Sequence, residues 1–315
     1  MSKSVLVLAL LICLSALSAA WADDDTCPLK RVAQLETRIT DDRLQIKVQV
    51  NDQDLWMEVS PATPISLISS RMADRLKLSL RDITGAVVIG SNGRHVQNYT
   101  RAKTLTLSGM TANNVQFLVM PPPTAAPGSK AEEEFQGGLG AEFLSRFDVD
   151  FDLPHGKIAL FSKSHCPGRV AYWTSDYVAI PFKLDNNNHI WFPTQLDGHE
   201  FRTLFDTSSE YTSLSTQAAR SVFDLDPAGA GLPPDGVEER GMPYHLHRFD
   251  AFDIGGIAFH NTEFRIIPDK QHREIQNFAG IVDAPLKLGL HHLAKLHVYV
   301  AYDEKVLYVS APNAQ

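Results

Sequence analysis

The residues best placed to do chemistry in this sequence are Asp206, Thr207, Ser208 and Ser209, a carboxylate and three hydroxyls directly after the apolar pair Leu204-Phe205. A carboxylate in such a turn can act as general base or acid, or it can serve as a turn carboxylate that accepts backbone N–H bonds. The histidines offer less. His245-Leu246-His247 puts two imidazoles on one face of a strand, and His291-His292 flank an apolar-glycine turn. Neither pair has a thiolate or carboxylate at ligand spacing, so no metal is expected. A Ser/His/Asp hydrolase would show a G-x-S-x-G elbow, and none is present. The run Gly85 to Gly90 lacks the Gly-Lys-Ser/Thr of a phosphate loop, and no cofactor is expected.

The elements that must position Asp206 occur twice. Residues 55–76, LWMEVSPATPISLISSRMADRL, align with residues 201–222, FRTLFDTSSEYTSLSTQAARSV, at an offset of 146, so that Ser60 meets Asp206 and Ala73 meets Ala219. Each copy reads as an alternating strand, a polar turn, a Ser/Thr-rich second strand and a short helix. A second pair, residues 138–160 and 287–309, aligns Gly140 with Gly289 and Val149 with Val298. Each of these reads as an apolar-glycine turn, a helical turn and two short strands joined by a polar turn. Two repeats in the same order and nearly the same distance apart imply two duplicated lobes. The rest reads as β-rich: Arg43 to Val50 alternates, and Val115 to Met120 is an apolar run stopped by prolines. Residues 121–135 read as an exposed excursion and 226–243 as a mobile Pro/Gly-rich loop.

On these motifs the chain resembles the two-lobed, exported, retropepsin-like aspartic peptidases of bacteria. Leu204-Phe205-Asp206-Thr207-Ser208-Ser209 is similar to that family's apolar-Asp-Thr-Gly opening, in the second lobe. Gly138-Leu139-Gly140, Phe143-Leu144, Phe147-Asp148-Val149 and Asp152 resemble its closing element, in the first. Gly85 to Arg101, with Ser91 to Arg94 at the tip, stands where the family carries its flap hairpin. The resemblance, over residues 40–312, implies an all-β fold with short helices and a cleft between two pseudo-symmetric lobes. It divides the chain into residues 28–168 and 169–312.

The family's mechanism requires one aspartate from each lobe. The pair shares a proton, because two like charges so close cannot both ionise; one carboxylate activates water and the other acts as acid. The first lobe here reads Ser60-Pro61-Ala62 in place of Asp-Thr-Gly, and Ser208 stands at the glycine position of the second. Asp206 is thus the candidate catalytic residue and Ser60 its degenerate partner position, with Thr207, Ser208, Gly140 and Gly289 as candidate binding positions. Glu58, on the same strand as Ser60, could face the same side but not at the same depth. The implied reading is an impaired peptidase that binds an extended peptide or protein in its cleft. An active peptidase using Asp206 with another partner, and a purely structural envelope protein, are the alternatives.

Composition sets the frame. The chain has 315 residues, 44% hydrophobic and 21% charged, with a formal net charge of −8, so it is a globular protein with no bias toward nucleic acid. Lys3, the apolar run from Val5 to Ala19 and Ala20-Trp21-Ala22 read as an export signal cleaved after Ala22, which places the protein in the periplasm or outside the cell. No later segment reads as a membrane span, and a monomer is expected. Beyond that leader only Cys27 and Cys166 remain, and in an oxidising compartment they are expected to pair.

Overall fold

The computed structural model describes residues 27–40, 43–84, 88–89, 95–121, 135–227, 229, 231, 233–237, 243–269 and 284–311. The stretch read as an export signal, residues 122–134 of the expected excursion and the tip of the expected flap hairpin lie outside the described residues, as does part of the 226–243 loop. Within that loop Gly236–Val237 forms a short strand.

The fold is mostly β and consists of two lobes built the same way. In the first, strands Arg43–Val50, Gln53–Val59, Gly137–Leu139, Leu67–Ser69, Met110–Met120 and Asn98–Leu107 pair in that order, and the last returns to the first through Gln49↔Thr106 and Val50↔Leu105. In the second, Ile190–Leu196, His199–Phe205, Leu286–Leu288, Ser213–Ser215, Ile257–Ile267 and Pro243–Ile254 do the same, closing through Gln195↔Asp253 and Leu196↔Phe252. Each lobe is therefore a closed six-stranded ring, which leaves few unpaired edges. Its hairpins are set by turn chemistry: Asn51-Asp52, Ser108-Gly109, Asp197-Gly198 and Gly255-Gly256 all have positive φ at both positions. That is the signature of the two-residue turn whose twist matches antiparallel strands, and it falls on Asn, Asp, Ser and Gly. The two short helices expected after the repeated strands are Ser70–Arg75 and Thr216–Phe223. Both are capped alike, by Ser69 accepting from Met72 N and Ser215 accepting from Ala218 N.

A third sheet joins the lobes. Its order is Arg31–Leu35, Lys157–Phe161, Asp148–Asp152, His297–Ala301, Val306–Ser310 and Val178–Pro181, and the two lobes meet at Val149↔Val300 and Phe151↔Val298. Alternation decides its two faces. Val149, Phe151, Ile158, Leu160, Val298 and Val300 enter the main core. The other face carries Asp148, Asp150 and Asp152 and is crossed by the connection between lobes, residues 162–177. Cys27 and Cys166 are disulfide-bonded, with Cα atoms 5.2 Å apart, and this fixes the start of that connection.

Buried carboxylates need partners, and here they come from far along the chain. Asp148 is fully buried; its Oδ2 lies 2.5 Å from His165 Nε2, and its Oδ1 accepts from Tyr302 N. Asp150 accepts from Tyr172 and lies 2.5 Å from His297 Nε2. Burial pushes the Asp148 carboxyl above the ordinary carboxylate range, partly offset by these hydrogen bonds. Burial alone would depress His165. Its contacts with Asp148 and the Cys166 carbonyl, with the charges of Asp148 and Glu304, outweigh that and raise it. Both shifts mean that the folded form holds protons more tightly than the unfolded one. The stability they contribute is present at low pH and is lost as pH rises through the raised values. Melting should therefore occur at a lower temperature near pH 9 than near pH 6, with much of the difference removed in His165→Gln. A His165→Gln profile identical to that of the unaltered protein would contradict this assignment.

Candidate functional site

The two repeat turns meet where the lobes face each other. Strand Gln53–Val59 runs into Ser60, and strand His199–Phe205 runs into Asp206. Each turn is held by the closing element of its own lobe. Ser60 N donates to Leu139 O and Asp206 N to Leu288 O, both at 3.0 Å. Gly140 N donates to Ser66 Oγ at 3.0 Å, and Gly289 N to Thr212 Oγ1 at 3.1 Å. Ala141 N reaches Thr63 O, and Leu290 N reaches Ser209 O. The sequence offset of 146 thus reappears as a pseudo-twofold set of hydrogen bonds. Gly140 and Gly289 are glycines because the turn backbone passes where a Cβ would be. A Cβ on Gly140 would lie 2.7 Å from Thr63 O, and one on Gly289 2.5 Å from Tyr211 C.

Between the lobes the symmetry is broken. Thr207 Oγ1 donates across the boundary to Val59 O. The reciprocal bond from the first lobe cannot form, because Pro61 has neither a hydroxyl nor an N–H. Ser60 and Asp206 are both buried, 3% and 4% exposed. Asp206 Oδ1 accepts from Ser208 N at 2.9 Å and from Ser208 Oγ at 2.6 Å, while Oδ2 accepts from Ser209 Oγ at 2.7 Å. Ser60 Oγ donates to Ser208 Oγ at 3.1 Å and accepts from Thr63 Oγ1 at 3.0 Å. A chain of hydroxyls therefore runs Thr63, Ser60, Ser208, Asp206. Ser208, where the resemblance expects glycine, joins Asp206 to Ser60 of the other lobe.

Of the residues singled out from sequence, Ser60, Asp206, Thr207 and Ser208 come together, with Gly140 and Gly289 directly behind their turns. Glu58 is ion-paired with Arg43 at 3.6 Å. Glu210 pairs with Arg265 at 3.0 Å, and the guanidinium lies over Tyr211 and Tyr244. His292 is buried between Thr212 and Thr262 hydroxyls, each 2.7 Å from a ring nitrogen. Burial, with the charges of His291 and Lys295, pushes it down to about 3, so it stays neutral. It fills the second-lobe position that Phe143 fills in the first. His245 and His247 are half-buried on their strand, the latter edge-on to Phe249. Among the described residues, no group of three or more His, Cys, Asp or Glu side chains is arranged to hold a metal. No helix there is long and apolar enough to cross a membrane.

Thr63, Ser66 and Thr212 were not singled out from sequence. The signal was there: a hydroxyl recurs at both members of the pairs 63/209 and 66/212, at the repeat offset. Glu142 was also missed. Its Oε1 accepts from Ser66 N at 2.9 Å, and burial pushes its carboxyl upward against the Ser66 hydrogen bonds.

Residues 46–143 match the family model described as aspartyl protease. No curated protein matches the sequence significantly. Among solved structures, basic 7S globulin from soybean is similar at 12% identity and a TM-score of 0.48, covering 90% of this chain and 95% of its own. Conglutin gamma from lupine seeds is similar at 13% identity and a TM-score of 0.49, covering 91% and 96%. With residues 46–143 matched to the aspartyl-protease model and two closed rings meeting at paired turns, the chain has a two-lobed, aspartic-peptidase-like fold.

Proposed function

We propose that the cleft binds an extended peptide or unfolded protein segment without hydrolysing it, in a monomer that is exported after cleavage at Ala22 and divides into lobes at residues 28–168 and 169–312. The observation that carries this reading is the hydrogen-bonded chain from Ser60 through Ser208 to Asp206. A serine hydroxyl ionises too reluctantly to share a proton with a carboxylate or to activate a water as base. Asp206 meanwhile spends both oxygens on Ser208 and Ser209, the pattern of a turn carboxylate. Thr207, Ser208, Gly140 and Gly289 then hold the floor of a binding groove. An extended chain would be bound through main-chain hydrogen bonds, as in strand addition. The strands Val88–Ile89 and His95–Val96, paired as a hairpin, support a flap at the expected place. The disulfide supports export, since such bonds persist in oxidising compartments.

The test is amide hydrogen exchange of the full chain with and without a reduced, carboxymethylated polypeptide. Slower exchange at residues 60–67 and 206–213 is the expected result. Binding with protection elsewhere only, or no binding, would overturn the reading.

A further inference from the structure

We propose that the protein has a second site, on the far side of the interlobe sheet from the cleft, for a small polyanion carrying phosphate or carboxylate groups. The sidedness follows from strand Asp148–Asp152. Phe151 points toward the cleft, its ring 5.6 Å from that of Phe205, which precedes Asp206. Asp150 and Asp152 point the other way, into a cavity of about 540 Å3 walled by the 162–177 connection. That volume is within the usual range for small-molecule sites.

The charges there are arranged in two tiers. On the floor, Asp150 Oδ1 lies 2.5 Å from His297 Nε2, and Asp152 Oδ1 lies 2.6 Å from His155 Nδ1 and 3.5 Å from His297 Nδ1. Trp173 stacks on His297 at 3.9 Å and anchors its indole N–H on Ser310. The rim holds Arg31 and Lys157, which among the described residues have no carboxylate partner; Arg31 donates only to Gln34 Oε1, at 3.2 Å. The groups that face the imidazoles are therefore Arg31 from the edge strand, Asp150 and Asp152 from the central one, Lys157 from the strand between, and Tyr172 from the connection. The two rim cations suit an anion with more than one negative group.

The experiment is calorimetric titration of the full chain with inorganic pyrophosphate and, separately, with citrate, near pH 6. The two anions distinguish a phosphate from a carboxylate source. Binding of at least one is expected, weakened about tenfold in Lys157→Gln and in Arg31→Gln, the loss of one charge-assisted contact. Both side chains are exposed, so the variants should keep the melting temperature of the unaltered protein. No heat from either anion near pH 6 would overturn the proposal. So would binding that either substitution leaves unchanged.

Discussion

Cys166→Ser is expected to lower the free energy of unfolding by about 5 kcal/mol. The bond joins residues 139 apart in sequence, and closing so long a loop removes much freedom from the unfolded chain. The bridge also acts locally. Cys27 leads directly into the edge strand Arg31–Leu35, and Cys166 follows His165, which holds Asp148. Without it, neither the edge strand nor the connection is anchored at that corner. Cys27→Ser should cost the same, and the double variant should cost no more than either single one, because only one bond is lost. Denaturant unfolding with matched slopes measures this. A loss below about 1 kcal/mol would show that the native contacts alone hold the corner.

Gly289→Ala is expected to destabilise the protein by about 3 kcal/mol. A Cβ there would lie 2.5 Å from Tyr211 C and 2.9 Å from Ser209 O. Both atoms are backbone, so no side-chain rotation relieves the overlap. The backbone cannot retreat cheaply either, because Leu290 N and His291 N are bonded to Ser209 O and Glu210 O, each at 2.8 Å. The proper control is Gly156→Ala, where φ is +64° and no atom stands within 4 Å of the added methyl. Its cost should be about 1 kcal/mol, the conformational penalty alone. Equal losses at the two positions would mean that close approach at the turn does not matter.

Much of this fold was legible because duplication leaves a record in sequence that does not depend on propensity. The alignment of Ser60 with Asp206 and of Gly140 with Gly289 placed the turns, and the structure brings these four positions to one place. The degenerate first-lobe motif was legible for the same reason. The connection across the interlobe sheet was not. Asp148, Asp150 and Asp152 alternate with apolar residues, which on a strand usually marks one wet face. They are covered because His165, Tyr172 and Trp173 return over that face, and neither spacing nor composition encodes the return. His292 was opaque in the same way. His291 and His292 flank a glycine turn in sequence, yet the second stands where the first lobe has the core residue Phe143, and two distant threonines satisfy its nitrogens. Ser208 stands where the resemblance expects glycine, and nothing in that position announces that its hydroxyl joins Asp206 to Ser60.

The proposed reading is that Ser60 stands where a second carboxylate would share a proton with Asp206. Its most direct measurement is peptide-bond cleavage: the purified, disulfide-intact chain incubated with an unfolded polypeptide from about pH 3 to about pH 7, with products read by mass spectrometry and Asp206→Asn run in parallel. Two carboxylates act as one unit in such chemistry, so removal of one should abolish nearly all of the rate. The account predicts no fragments above those formed with Asp206→Asn at any pH in that range; fragments made by the unaltered protein and absent with Asp206→Asn would contradict it.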